Sequence, residues 1–120
     1  MRPRAFAFAM TLLLAGTARG ADRVEMRCGW LDNPTPQNYW LRDRQGEWTL
    51  SEQGGYVADG FDTMPDMSTK GVIETNRTYG YSCACITGVF DAKGHTVDKI
   101  VKAVPKPLRQ CRADRRLPKL

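Results

Sequence analysis

From Val24 to Cys28 apolar and charged side chains alternate, so that Val24, Met26 and Cys28 share one face and Glu25 and Arg27 the other. That period of two predicts a half-buried strand. Gly29 to Asn38 carries Asp32-Asn33-Pro34-Thr35-Pro36, whose fixed proline angles and turn-forming Asx side chains predict a loop. Two short runs follow, Tyr39 to Arg42 and Glu47 to Ser51, joined by Asp43-Arg44-Gln45-Gly46. An Asp that opens a turn and a Gly that accepts positive φ at its end predict a hairpin. Tyr56 to Ala58 reads as a short strand, and Asp59 to Gly71 as a loop with one helical turn. Val72 opens a last unit: a turn at Asn76, a long arm from Tyr79 to Phe90, a second Asp-x-x-Gly turn at Asp91-Ala92-Lys93-Gly94, and an arm from His95 to Val104. Gly88 marks a bulge in the first arm. Asp98 to Val104 also suits a short helix, and periodicity does not choose between the two.

Short strands, two echoing turns and the lack of a long amphipathic helix predict a mainly β domain, or α+β with one short helix. The expected form is a small antiparallel sheet or barrel-like unit. The prolines at 105, 107 and 118 break up any regular basic face near the C-terminus.

The N-terminal residues do not belong to this pattern. Arg2 and Arg4 precede an apolar run from Ala5 to Ala15, and Gly16 to Gly20 are mostly small, with Ala18 and Gly20 placed as a signal peptidase requires. This is the layout of a signal peptide over residues 1–20, too short to span a bilayer, which leaves residues 21–120 as one exported domain. Cys28 lies beyond a charged stretch, so the chain is not read as a lipoprotein, and periplasmic or secreted is the expected location. Loss of Arg2, Arg4 and Arg19 takes 18 basic side chains to 15 against 13 acidic ones, a net charge of +2. That charge is uneven: residues 21–101 hold 8 basic and 12 acidic side chains, and 102–120 hold 7 basic ones with Asp114 alone against them. A near-neutral body argues against nucleic acid as a partner. The basic end suits weak contact with an anionic surface or, failing that, a frayed and solvated terminus.

Cys28, Cys83, Cys85 and Cys111 are the four cysteines. In an exported chain of this size an even count reads as a disulfide framework. On a strand Cys83 and Cys85 project to the same side about 7 Å apart at Cα, which disfavours a bridge between them. Two pairings remain: Cys28–Cys83 with Cys85–Cys111, or Cys28–Cys85 with Cys83–Cys111. A zinc site fits poorly, because ligand knuckles usually have two or more intervening residues.

No other residue set carries a catalytic or cofactor signature. His95 is the single histidine and sits at a predicted turn, so a multi-histidine metal site is not available and a Ser-His-Asp arrangement would have to use this residue. No serine lies in a nucleophile elbow, and Gly54-Gly55 lacks the rest of a phosphate-binding loop. Neither a cofactor nor a metal is expected. Trp30, Tyr39, Trp40, Trp48 and Tyr56 are instead the candidate ligand-binding residues, as a platform that stacks on a glycan or peptide. The competing account puts the tryptophans in the core, with Trp40 and Trp48 packed on one another across the hairpin.

Arg27-Cys28-Gly29-Trp30-Leu31-Asp32-Asn33-Pro34-Thr35-Pro36, Trp40-Leu41, Glu47-Trp48, Gln53-Gly54-Gly55-Tyr56, Tyr79-Gly80-Tyr81-Ser82-Cys83-Ala84-Cys85 and Cys111-Arg112-Ala113-Asp114 together resemble the domain-of-unknown-function family 4087 of small secreted bacterial proteins. The resemblance implies export and a four-cysteine pattern, and no activity. The resulting expectation is a small binding or inhibitor-like module of the envelope, without enzymatic activity, whose partner is an envelope protein, peptide or glycan. Two alternatives stand beside it: a hydrolase using carboxylates between Tyr39 and Glu52, and a protein that docks on anionic surfaces through its basic tail.

Overall fold

A computed structural model describes Pro3 and residues 23–120. The proposed leader, Pro3 apart, lies outside the described residues. The elements are β1 (Val24–Asn33), β2 (Tyr39–Asp43), β3 (Gly46–Ser51), a 3-10 turn (Phe61–Thr63), β4 (Ile73–Asn76), β5 (Tyr79–Asp91), β6 (Thr96–Lys106) and α1 (Leu108–Ala113). Asp98 to Val104 is therefore strand, and the domain is mainly β with one short helix.

Both Asp-x-x-Gly turns form for the same local reason. The Asp43 carboxylate accepts a hydrogen bond from the Gln45 backbone N–H at 2.8 Å, and Asp91 does the same for Lys93 at 2.9 Å. They differ in which residue turns left-handed: Gly46 in the first (φ 129°), but His95 rather than Gly94 in the second (φ 51°).

The strands close into a ring. β1 pairs antiparallel with β2 and β5, β2 with β3, and β5 with β6, while β3 meets β6 in parallel at Thr49 and Thr96. The sheet is thus mixed, not purely antiparallel. Beyond Thr49, β3 and β6 diverge; Tyr56 to Ala58 does not form the expected strand, but two isolated bridges, Val57 to Ser51 and Asp59 to Lys99, lay this segment in the gap. β4 adds to the remaining edge of β5. Without β4, five strands run in the ring order β1-β2-β3-β6-β5-β1, the connectivity of the OB-type Greek-key barrel.

β1 is longer than its alternation suggested because it serves two neighbours. It pairs with β5 from Val24 to Asn33 and with β2 from Trp30 to Asp32, so part of the predicted loop becomes strand. Gly29 marks the point where β2 joins, since a Cβ there would lie 2.2 Å from the Arg42 carbonyl oxygen. Gly88 does sit at a bulge: Thr87 lies opposite Lys102 and Gly88 opposite Ile100, so the register shifts between them and the extra residue is Val101 on β6.

Inside the barrel lie Leu31, Leu41, Trp48, Leu50, Ile86, Phe90, Val97 and Ile100. Alternation puts Val24, Met26 and Cys28 on one face of β1, as expected, but that face is the outer one. Met26 is 65% exposed, whereas the Arg27 side chain opposite is 15% exposed. Cys83 and Cys85 also point outward, forming the bridges Cys28–Cys85 and Cys83–Cys111. The first joins residues directly opposite on neighbouring strands. The second pins α1 to the barrel wall, where Trp30, Cys83, Cys111 and Leu117 form a second core with Leu108, Ile73 and Tyr81 against it. The C-terminal segment is thereby packed rather than frayed.

Loop-closure entropy assigns about 4 kcal/mol to the Cys28–Cys85 bridge and about 3.5 kcal/mol to Cys83–Cys111. Replacing Cys83 and Cys111 together by Ala should lower unfolding free energy by about 3.5 kcal/mol in urea titrations. Trypsin should then cleave after Arg112, Arg115 or Arg116 before it cuts the barrel. Simultaneous loss of barrel and tail protection would show that the staple supports the ring itself.

Candidate functional site

The five candidate aromatic residues do not converge on one face. Trp48 is 2% exposed and plugs one end of the barrel, and Trp30 is 4% exposed beneath the C-terminal segment. An open platform built on these two tryptophans is therefore not what the fold presents. Trp40 is half-buried, and alternation with the buried Leu41 turns it outward, so it does not pack on Trp48. Tyr39 packs edge-on against Phe61, ring centroids 5.1 Å apart, at the opposite end of the barrel from Trp48. Tyr56 lies over the β3–β6 seam, 37% exposed, donating its hydroxyl hydrogen to the Val97 carbonyl at 2.7 Å. Burial, then the nearby Asp98 carboxylate, raises the Tyr56 pKa.

Around Trp48 the chain assembles a charged plug. Arg27 donates to Asp43 at 3.0 Å, to Glu25 at 3.2 Å and to the Gln45 side chain. Its guanidinium lies 4.5 Å from the centroid of Trp48 and 5.2 Å from that of Phe90. The Trp48 indole N–H in turn donates to Asp43 at 3.1 Å, and His95 stacks on the indole at 4.6 Å. Asp43, with a side chain 4% exposed, thus accepts from Arg27, Trp48 and the Gln45 backbone. Every partner of this carboxylate is provided by β1, β3 or the hairpin turn. Alternation separated Arg27 from Met26 and Cys28 without saying which face turns inward, so the cluster was not foreseen. The legible clue was Asp43 continuing the inward alternation of Leu41.

On the outer face, Arg42 bridges Asp32 at 3.1 Å and Glu47 at 3.2 Å and lies over the Tyr81 ring at 5.5 Å. Burial raises the Asp32 pKa, and the Arg42 charge only partly offsets it. Asp43 and Glu47, the acids nearest the proposed carboxylate centre, are thus tied into separate ion pairs. Glu52 is exposed on the loop that follows β3.

Beside the plug a cleft of about 310 Å³ opens between β1, the β2–β3 turn and the C-terminal segment. Arg27, Arg44 and Arg116 line it, together with Glu25, Asp43 and Asp114. Asp114 accepts from the Arg116 backbone at 3.0 Å, and this bond is the main cause of its lowered pKa. Leu117 closes the floor, so the cleft exists because the tail is anchored. Among the described residues no group of three or more His, Cys, Asp or Glu could hold a metal, and no helix is long and apolar enough to cross a membrane.

The two buried acids should respond differently to amidation. Asp43→Asn leaves Arg27 half-buried with one charge partner fewer and should cost about 3 kcal/mol. Asp32→Asn should cost under about 1 kcal/mol at neutral pH, since Arg42 is partly exposed. A carboxyl whose folded pKa is raised favours folding below its unfolded value and loses that advantage as pH rises through the folded one. Asp32→Asn should therefore gain relative to the parent as pH climbs through that window, in urea melts across mildly acidic pH. A gain on acidification would mean that Arg42, not burial, dominates at Asp32.

No curated protein and no solved structure matches the chain. A protein-family match nevertheless covers residues 22–118, both disulfide bridges, the barrel and most of the C-terminal segment. On that match the chain belongs to the family described as protein of unknown function DUF4087.

Proposed function

We propose that this protein is a small exported binding module of the envelope, acting without turnover, and that it engages an anionic surface through its C-terminal segment. The carrying observation is that this segment is basic and also held in place. Arg109, Arg112, Arg115, Arg116 and Lys119 are exposed, while Cys111 and Leu117 between them are buried against the barrel. Among the described residues Arg112, Arg115 and Lys119 form no ion pair. A disordered basic tail would lose chain entropy on docking, whereas one already fixed by a disulfide and a buried leucine has lost it on folding. Export is supported by the leader-like residues 1–20 and by the two bridges, which persist in oxidising compartments. Binding is favoured over hydrolysis because Asp43 and Glu47 are both held by arginines.

The partner surface we favour is a layer of anionic lipid headgroups. Each Lys or Arg near such a surface contributes about 1 kcal/mol. Arg112→Gln, Arg115→Gln and Lys119→Gln combined should therefore weaken co-sedimentation with phosphatidylglycerol vesicles by about two orders of magnitude at low salt. Binding to the parent should also fall steeply as salt is added. Point changes are preferable to truncation, since truncation also uncovers Trp30. Vesicle binding that is equal for parent and triple variant, or indifferent to salt, would overturn the reading.

A further inference from the structure

At the far end of β1 from the Arg27 plug, a cavity of about 240 Å³ opens between Asn33, the start of β5 and the loop that follows the 3-10 turn. The clefts along the C-terminal segment are lined by arginines. This one has the opposite chemistry. Asp66 is the one lining residue charged at neutral pH, and no Lys, Arg or His joins it. Around it stand Tyr39, Tyr79 and Ser82. Ser82 is 6% exposed, precedes Ala84 and Ile86 on the inward face of β5, and lines the cavity. Tyr39 lies close enough to Tyr79 and Asp66 that their charges, after burial itself, raise its pKa. Its hydroxyl is thus neutral and able to accept a hydrogen bond.

We propose that this cavity is a binding site for a primary ammonium group. Asp66 supplies the counter-charge, and the manner in which it is held selects the cation. Its Oδ1 already accepts from the Ser68 backbone at 2.9 Å and from the Ser68 hydroxyl at 2.6 Å. These bonds keep the carboxyl ionised and leave Oδ2 for a ligand. A guanidinium is best met by two free carboxylate oxygens side by side, whereas an ammonium is a compact charge with three donors that spread to separate acceptors. The lining offers the exposed Asp66 carboxylate at its rim together with two tyrosines and a serine, separate oxygen acceptors of the kind the second cation takes. The tyrosine rings add negative quadrupole faces that favour a cation further. An anion would meet Asp66 with no compensating charge. The site stands apart from the cationic segment, so either reading can fail without the other.

Two sources carry such a group: a lysine-type side chain of a peptide, or an amino sugar. Titration of the oxidised, full mature chain, followed by ¹⁵N–¹H NMR, separates them. Nα-acetyl-lysine amide and glucosamine supply the ammonium; Nα-acetyl-arginine amide and N-acetylglucosamine are their guanidinium and uncharged counterparts. We expect saturable shifts at the Asp66, Ser68 and Tyr79 amides with at least one ammonium probe, about tenfold tighter than with its counterpart. The tighter ammonium probe identifies the source. Asp66→Asn retains an oxygen to accept from Ser68, so it should leave the melting temperature unchanged while weakening binding about tenfold or more. Tyr79→Phe should weaken it by a smaller factor. Equal binding of a probe and its counterpart, full binding by Asp66→Asn, or no shift with either ammonium probe at tens of millimolar would overturn the proposal.

Discussion

β5 is buried on both faces and paired on both edges, and the rest of the molecule depends on that. Its inward side chains Ala84 and Ile86 fill the barrel, while outward Cys83 and Cys85 would meet solvent if the barrel stood alone. Along one edge β5 pairs with β1 from Gly80 to Val89; along the other it pairs first with β4 and then with β6. Two-sided burial is usual for strands covered by helices. Here the cover is a six-residue helix and a few turns of irregular chain, too little apolar area to stay docked unaided. The Cys83–Cys111 bridge supplies what packing cannot, and Leu117 on Trp30 completes the layer. The cysteines are therefore structural, and the positions that could carry chemistry must be sought elsewhere.

How far the sequence revealed this follows from the range of each interaction. The two Asp-x-x-Gly turns and their flanking strands were legible because an Asp carboxylate reaching a backbone N–H two residues on is a local event. Same-side projection of Cys83 and Cys85 was equally local, and it excluded one of three pairings. Choosing between the other two required knowing that Cys28 lies directly opposite Cys85, a register set across more than fifty residues. The parallel contact of β3 with β6 and the insertion of Val57 to Asp59 between them leave no mark in any single window. Alternation gave the two faces of β1 correctly but not which was inside. Met26 is apolar and exposed, and Arg27 is charged and inward, because Asp43 on β2 supplies a partner that no window around β1 contains.

That buried pair deserves a physical account, since arginine in a barrel mouth is costly to desolvate. Its donors are met by Glu25, Asp43 and Gln45, and its flat faces lie near Trp48 and Phe90. A network satisfied on all sides loses little to burial and holds its members in one geometry. Four segments converge there: β1, the β2–β3 turn, β3 and the end of β5. The plug thus fixes the mutual position of strands whose hydrogen-bond ladders could otherwise slip.

The two ends of the barrel then differ for a reason that bears on ligand binding. At the Arg27 end an indole, a phenyl ring and a guanidinium occupy the mouth, with His95 stacked outside them. At the other end β5 begins Tyr79-Gly80-Tyr81-Ser82, a glycine and a serine in the strand whose plugged end carries Phe90. Gly80 cannot be enlarged, because a Cβ there would lie 1.9 Å from the Ile73 carbonyl oxygen of β4. Close approach of β4 thus fixes a small residue at this mouth, and the adjacent Ser82 keeps the volume open and polar. Aromatic rings and an ion pair thus seal the barrel mouth at one end, while at the other a cavity of about 240 Å³ stays open beside Tyr39. The cavity at Tyr39, Tyr79 and Ser82 is therefore a consequence of how β4 packs on β5, and its carboxylate comes from the loop that leads into β4.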